Sequence, residues 1–176
     1  MNDFRSFEQL RVNELSVIRH GFFRPWFELS DGQFSYGKLS SISIWRNTVA
    51  IETAQENWVI KRKSLISRVF FIQQPQGVNI GTVTPEILSR KTVLNMDNGF
   101  AAALNAKAFL SRTYSWANDQ HGELLTIKPA IWSYKTPFTI SIDLNLLKNV
   151  PYLPLLALLG VNLILLKQAA QAATAH

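Results

Sequence analysis

The 176-residue chain contains no cysteine. That excludes disulfides, thiolate metal centres and a cysteine nucleophile. Histidine is scarce: His20, His121 and His176 stand far apart without metal-ligand spacing, so no zinc site is expected. His121 lies in a predicted turn and is expected to face solvent, as is the terminal His176. The carboxylates Glu52, Glu56, Asp119, Glu123 and Asp143 lack the pairing that two-carboxylate hydrolysis requires. There is no Gly-rich phosphate loop and no G-x-S-x-G elbow. No catalytic residue, metal or cofactor is assigned, and an enzyme is not expected. The opening Met1–Asn–Asp–Phe–Arg–Ser–Phe–Glu–Gln9 has no apolar core of a secretory signal, so the expected compartment is the cytoplasm. No linker and no internal repeat is evident, and residues 1–176 read as a single domain.

What is present is mostly β pattern. Phe138–Thr–Ile140–Ser–Ile142–Asp–Leu144 alternates apolar and polar residues at period 2, and Thr48–Val–Ala–Ile–Glu–Thr53 places Val49 and Ile51 on one face. Asn57–Lys63, Val69–Ile72, Val78–Val83 and Lys91–Met96 are rich in the β-branched and aromatic residues that strands favour. Between these runs stand Ser30–Asp–Gly32, Gln74–Pro–Gln–Gly77, Met96–Asp–Asn–Gly99 and Asp119–Gln–His–Gly122. Such Asp, Asn and Gly clusters tolerate the positive φ of tight turns. Strands at this spacing predict an antiparallel sandwich or barrel. Gly99–Phe–Ala–Ala–Ala–Leu–Asn105 interrupts the pattern and reads as a short helical turn or a loop.

The C-terminus is different. Pro151–Leu166 is apolar on every helical face, so it must be buried on all sides, in lipid or in protein. Pro151 and Pro154 suit a first helical turn, where backbone N–H groups have no intrahelical partner. The helix is expected from 151–154 to about 168, with 169–176 as a frayed tail. At 1.5 Å per residue the apolar run covers about 24 Å, short of the roughly 30 Å hydrocarbon core. Asn162 near its middle is also costly in lipid. Both features favour a helix buried in a soluble fold over a tail anchor.

Two groups of side chains remain as candidates for binding. Phe22, Phe23, Trp26 and Phe27 cluster in one hairpin arm; they are expected to fill the core rather than form a stacking surface for single-stranded nucleic acid. The formal net charge of +6 favours anionic partners. If Trp58 and Ile60 face inward, strand alternation sends Lys61 and Lys63 outward together, with Arg68, Arg90 and Lys91 on flanking turns or strand ends. A shared patch of these five would suit phosphate oxygens; ordinary solvated surface is the alternative. No segment has the dense basic run of a nucleic-acid arm.

Three segments, in this order along the chain, carry a family resemblance. They are Phe27–Glu–Leu–Ser–Asp31–Gly32–Gln–Phe–Ser–Tyr36–Gly–Lys–Leu39, then Tyr114–Ser–Trp116 through Asp119–Gln–His–Gly122 to Ile127, then Pro151–Leu166. The chain resembles the tubby C-terminal-like superfamily, which includes phospholipid scramblases and plant LURP-one-related proteins. The resemblance implies a mainly β fold: a closed antiparallel barrel of about twelve strands around a buried hydrophobic C-terminal α-helix. It further implies a non-enzymatic cytoplasmic protein, peripheral to the membrane, that binds anionic phospholipid or phosphoinositide headgroups. Lys61, Lys63, Arg68, Arg90 and Lys91 are the candidate lipid-binding residues, and no tubby headgroup ligand is transferred onto them. The alternatives are a tail-anchored protein with a scramblase-like role and a single-stranded nucleic-acid binder. The chain departs from scramblases in having no proline-rich N-terminal extension, no cysteine for palmitoylation and no acidic calcium-binding segment near Asp143–Leu–Asn145.

Overall fold

The computed structural model describes residues 4–43, 47–86, 91–107 and 112–174. Twelve strands follow one another up and down. The first six are β1 (Glu14–His20), β2 (Trp26–Ser30), β3 (Ser35–Ser43), β4 (Thr48–Thr53), β5 (Asn57–Arg62) and β6 (Phe70–Gln73). The rest are β7 (Asn79–Pro85), β8 (Thr92–Met96), β9 (Ala101–Ala106), β10 (Tyr114–Asn118), β11 (Gly122–Pro129) and β12 (Phe138–Ile142). Each pairs antiparallel with the next, and β12 closes on β1 with Leu15 opposite Ile140 and Val17 opposite Phe138. Closure leaves no unpaired sheet edge.

Turn chemistry sets the register at one end. Between β2 and β3, the Asp31 Oδ1 accepts the Gln33 and Phe34 N–H groups at 2.8 and 2.7 Å, and Gly32 takes φ +92°. The Tyr36 hydroxyl donates to Asp31 Oδ2 at 2.7 Å. Partial burial pushes the Asp31 carboxyl up, but the bonds from Phe34, Tyr36 and Gln33 and the charge of Arg5 outweigh it and hold its pKa below the ordinary 3.8. Burial, followed by the Asp31 hydrogen bond and charge, pushes the Tyr36 phenol up to about 12. Asn98 with Gly99 and Asn118 with Gly122 repeat the device: each Asn Oδ1 accepts a turn N–H, from Phe100 and His121 respectively.

Helix α1 (Leu153–Thr174) occupies the barrel interior, and Leu155–Val161 are enclosed on every side. Pro154 is its second residue, where a missing N–H costs nothing. The inward faces that surround it include Leu29, Ile51, Ile60, Ile72, Val83 and Ile127. Two glycines let the helix fit. A Cβ on Gly37 of β3 would stand 3.0 Å from Leu158 Cδ1, and one on Gly160 would meet Ile127 and lie 2.7 Å from Trp116 Nε1. α1 is the one described helix long and apolar enough to cross a membrane. Here the barrel meets its demand for burial, so inserting it in lipid would require opening the sheet.

Several expectations are corrected. Phe22 and Phe23 are exposed, not core, because Gly21 at φ +73° turns the chain outward before β2 begins; Trp26 is half-buried, and only Phe27 of the four is core. The segment from Gly99 is neither helix nor loop beyond Phe100: Ala101–Ala106 is β9, with Ala102 and Leu104 inward. Alternation is hidden there because alanine stands on both faces. The tail does not fray at 168; the helix continues to Thr174 on alanine and glutamine, both good helix formers. His121 is half-buried rather than exposed. His176 lies outside the described residues.

Candidate functional site

In an up-and-down barrel, alternate connections emerge at opposite ends. The β2–β3, β4–β5, β6–β7, β8–β9 and β10–β11 turns share one end. The β1–β2, β3–β4, β5–β6, β7–β8, β9–β10 and β11–β12 connections share the other. α1 starts at the first end and leaves through the second, where Lys167 Nζ lies 5.2 Å from the Tyr114 ring at the start of β10.

The two ends differ in charge. The five turns of the first end hold Asp31, Glu56, Asp97 and Asp119 and no lysine or arginine, and the segments before β1 and between β12 and α1 at that end add Glu8 and Asp143 with Arg5, Arg11 and Lys148. In sequence, the six connections of the second end hold Arg24, Arg46, Arg68, Arg90 and Arg112, together with Lys63, Lys91, Lys107 and Lys135. Glu86 is their single acid. Arg46 and Arg90 lie outside the described residues. Of the five candidates read from sequence, Lys61, Lys63, Arg68 and Lys91 are all exposed. Lys61 sits near the end of β5, Lys63 and Arg68 in the β5–β6 connection, and Lys91 just before β8, so the four occupy neighbouring sectors of one rim. Trp58 and Ile60 face inward, and Lys61 and Lys63 outward. Lys107 pairs with Glu123 at 2.6 Å.

Arg24, Arg112 and Lys135 join this rim and were missed from sequence. A signal for them exists, and it corrects the expectation of no internal repeat. Arg24, Arg46, Arg68, Arg90 and Arg112 recur at a constant interval of 22 residues, one strand pair and its turns. Helix and strand periodicities run over a few residues and do not register it.

A cleft of about 440 Å³ opens at the same end between α1 and the β2–β4 wall. Phe27, Leu39, Ile42, Val49 and Leu165 line it, with Arg24 at its margin and Asn162 offering the amide that is costly elsewhere in the helix. On the outer face of β1–β4, His20 bonds Glu28 at 2.7 Å and stacks on Trp26, while Lys38 Nζ lies 3.9 Å from Glu52 and 5.2 Å from the Trp26 ring. This is a cross-strand polar ladder, partnered within itself. Among the described residues no cluster of His, Asp and Glu has the arrangement of a metal site. No protein family, curated protein or solved structure matches the chain.

Proposed function

We propose that this protein is a non-enzymatic, tubby C-terminal-like barrel that docks on anionic phospholipid, phosphoinositide headgroups included, at the cytoplasmic surface of a membrane. One observation carries the reading: the six connections at one barrel end hold nine lysines and arginines against one acid, while the opposite end, its five turns and the segments 4–13 and 143–152 together, holds six acids against three cations. A barrel with its charge divided this way has a built-in orientation toward a negative plane. The family assignment draws on the closed twelve-strand barrel with a C-terminal helix as its axle. Each lysine or arginine near an anionic surface contributes about 1 kcal/mol. Reversing Lys61, Lys63 and Arg68 to Glu is therefore expected to weaken binding to vesicles containing phosphatidylserine or phosphoinositide by about a hundred-fold or more. Co-sedimentation against neutral phosphatidylcholine vesicles is the control. Equal binding to both vesicle types, or to neither, refutes the proposal.

A further inference from the structure

We propose that docking proceeds by insertion: the described loop tips at the cationic end, Phe23, Ile66 and Trp132, enter the acyl boundary of the bilayer, and Arg24, Arg68 and Lys135 behind them stay at phosphate level. The inference rests on the anionic-surface reading and deepens it, since cations alone would hold the protein above the headgroups.

The apolar residues recur with the arginines. Positions 22, 44, 66, 88, 110 and 132 are Phe, Ile, Ile, Leu, Leu and Trp. At the first five of these, arginine follows two residues later. In the sixth connection Tyr134 takes that place, with Lys135 next, and the Arg19 guanidinium from β1 lies 4.3 Å over the Tyr134 ring. In the three connections whose tips are described, the side chains point into solvent: Phe23 is 90% exposed, Ile66 97% and Trp132 96%. Phe22, Leu65 and Ile131 stand exposed beside them. Positions 44, 88 and 110 lie outside the described residues and enter by sequence alone.

The barrel does not need these tips. Its opposite end connects the same strands through turns built mainly on Asp, Asn, Gly and Gln, where the exposed apolar residues Phe34 at 43% and Val78 at 56% stand well short of the exposure of the tips, so fully exposed apolar tips are no requirement of closure. A bilayer is the occupant that fits best. Connections at one end of a closed barrel approach a plane together, and aromatic residues with cations just behind are the interfacial composition that bilayers select. Ile66, Leu65 and Ile131 offer no stacking face to a nucleobase, which disfavours single-stranded nucleic acid. The exposed end of α1 emerges inside this ring and carries no charge between Lys167 and Thr174, so it does not oppose contact with the interface.

The test compares the full chain with a Phe23→Ser, Ile66→Ser, Trp132→Ser variant. All three positions are exposed, so the fold and melting temperature are expected to hold. Vesicles of phosphatidylcholine and phosphatidylserine serve as the probe, with and without bromine on the acyl chains, at 0.1 and 1 M NaCl. Insertion predicts tryptophan quenching by brominated chains, reduced by Trp132→Phe. It also predicts binding that partly survives 1 M salt, where charge attraction is screened within about 3 Å. The triple variant should bind about a hundred-fold more weakly. If the chain binds but releases completely at 1 M salt, shows no quenching, and the triple variant binds as wild type, insertion is refuted while anionic docking stands. If no anionic vesicle is bound and a thirty-nucleotide oligothymidine is, both readings fall in favour of nucleic acid.

Discussion

Gly160→Ala tests how tightly the barrel grips its axle. In the middle of an ordinary helix this change is stabilising by about 1 kcal/mol, because glycine loses more backbone entropy than alanine on folding. Here the sign should reverse. The added methyl would run into the Ile127 δ-methyl and stand 2.7 Å from Trp116 Nε1. Ile127 can rotate its chain end aside, but Trp116 is fully buried and its ring has little room to turn. The wall behind it gives little, since β10 and β11 are each paired on both sides within a closed sheet. Overpacking costs about 1–3 kcal/mol, and two contacts under 3 Å, one of them to a fully buried ring, place this change in the upper part, about 2–3 kcal/mol. Set against the gain in helix propensity, the net loss should be about 1–2 kcal/mol. For a chain of this size that lowers the melting temperature by roughly 2–8 °C.

Urea denaturation and calorimetry measure the loss directly, and a double-mutant cycle assigns it. Trp116→Phe removes the indole nitrogen that the new methyl would meet. Alone it should destabilise the barrel by leaving a void. Combined with Gly160→Ala it should cost less than the two changes summed, with a coupling of about 1 kcal/mol. Gly160→Ala raising stability as in an exposed helix would refute the close fit, and so would strict additivity with Trp116→Phe.

Two further expectations concern the core and the polar end. Leu159→Asp places a carboxylate at a fully enclosed position with no partner and should abolish a monodisperse, cooperatively melting protein, whereas Leu159→Met should cost under about 1.5 kcal/mol; a Leu159→Asp chain that elutes and melts as wild type would show that the helix is not the axle. Because the Asp31 pKa is lower folded than unfolded, its stabilising contribution is present above about pH 4 and is lost as pH falls through the folded value. Asp31→Asn should therefore cost about 1 kcal/mol at pH 7 and progressively less under acid conditions. Its partner behaves oppositely: Tyr36, raised from 10.0 to about 12, contributes stability that is lost as pH rises between those values. Ultraviolet titration should show the Tyr36 phenol ionising late and moving earlier in Asp31→Asn, and a penalty or phenol titration indifferent to this pair would refute the coupling.

Much of the fold was legible because its signals are local. Period-2 alternation located β4 and β12, β-branched and aromatic composition located β5, Asp–Gly and Asn–Gly pairs located the turns between β2 and β3 and between β8 and β9, and the all-apolar run marked α1. β9 was missed because alanine on both faces erases alternation. The tail reads as frayed in sequence because the apolar run ends at Leu166, although alanine and glutamine sustain a helix without burial. The site was half legible. Lys61, Lys63, Arg68 and Lys91 were reached through strand parity on β5 and its neighbours, a local rule. Their companions Arg24, Arg112 and Lys135 are separated by whole strand pairs, and only the winding of the barrel brings them to one rim.

The same winding explains why two ends built from one repeating unit diverge in chemistry. Each strand pair meets both ends once, through a short turn and through a longer connection. The short turns need positive φ and side-chain caps, so Asp, Asn and Gly settle there, and the acids among them serve the backbone: Asp31 holds two N–H groups and a phenol. The other connections meet the same demand through Gly21, Asn47 and Arg112 at positive φ and through Ser64 and Ser133 caps, and they further carry Phe23, Ile66 and Trp132 into solvent beside cations, which turning does not require. Exposing large apolar side chains and crowding like charges both oppose folding of the isolated barrel. The acidic end is thus accounted for by how the chain turns. The proposed bilayer, negative at its surface and apolar beneath, is the partner that would complete the basic, apolar end.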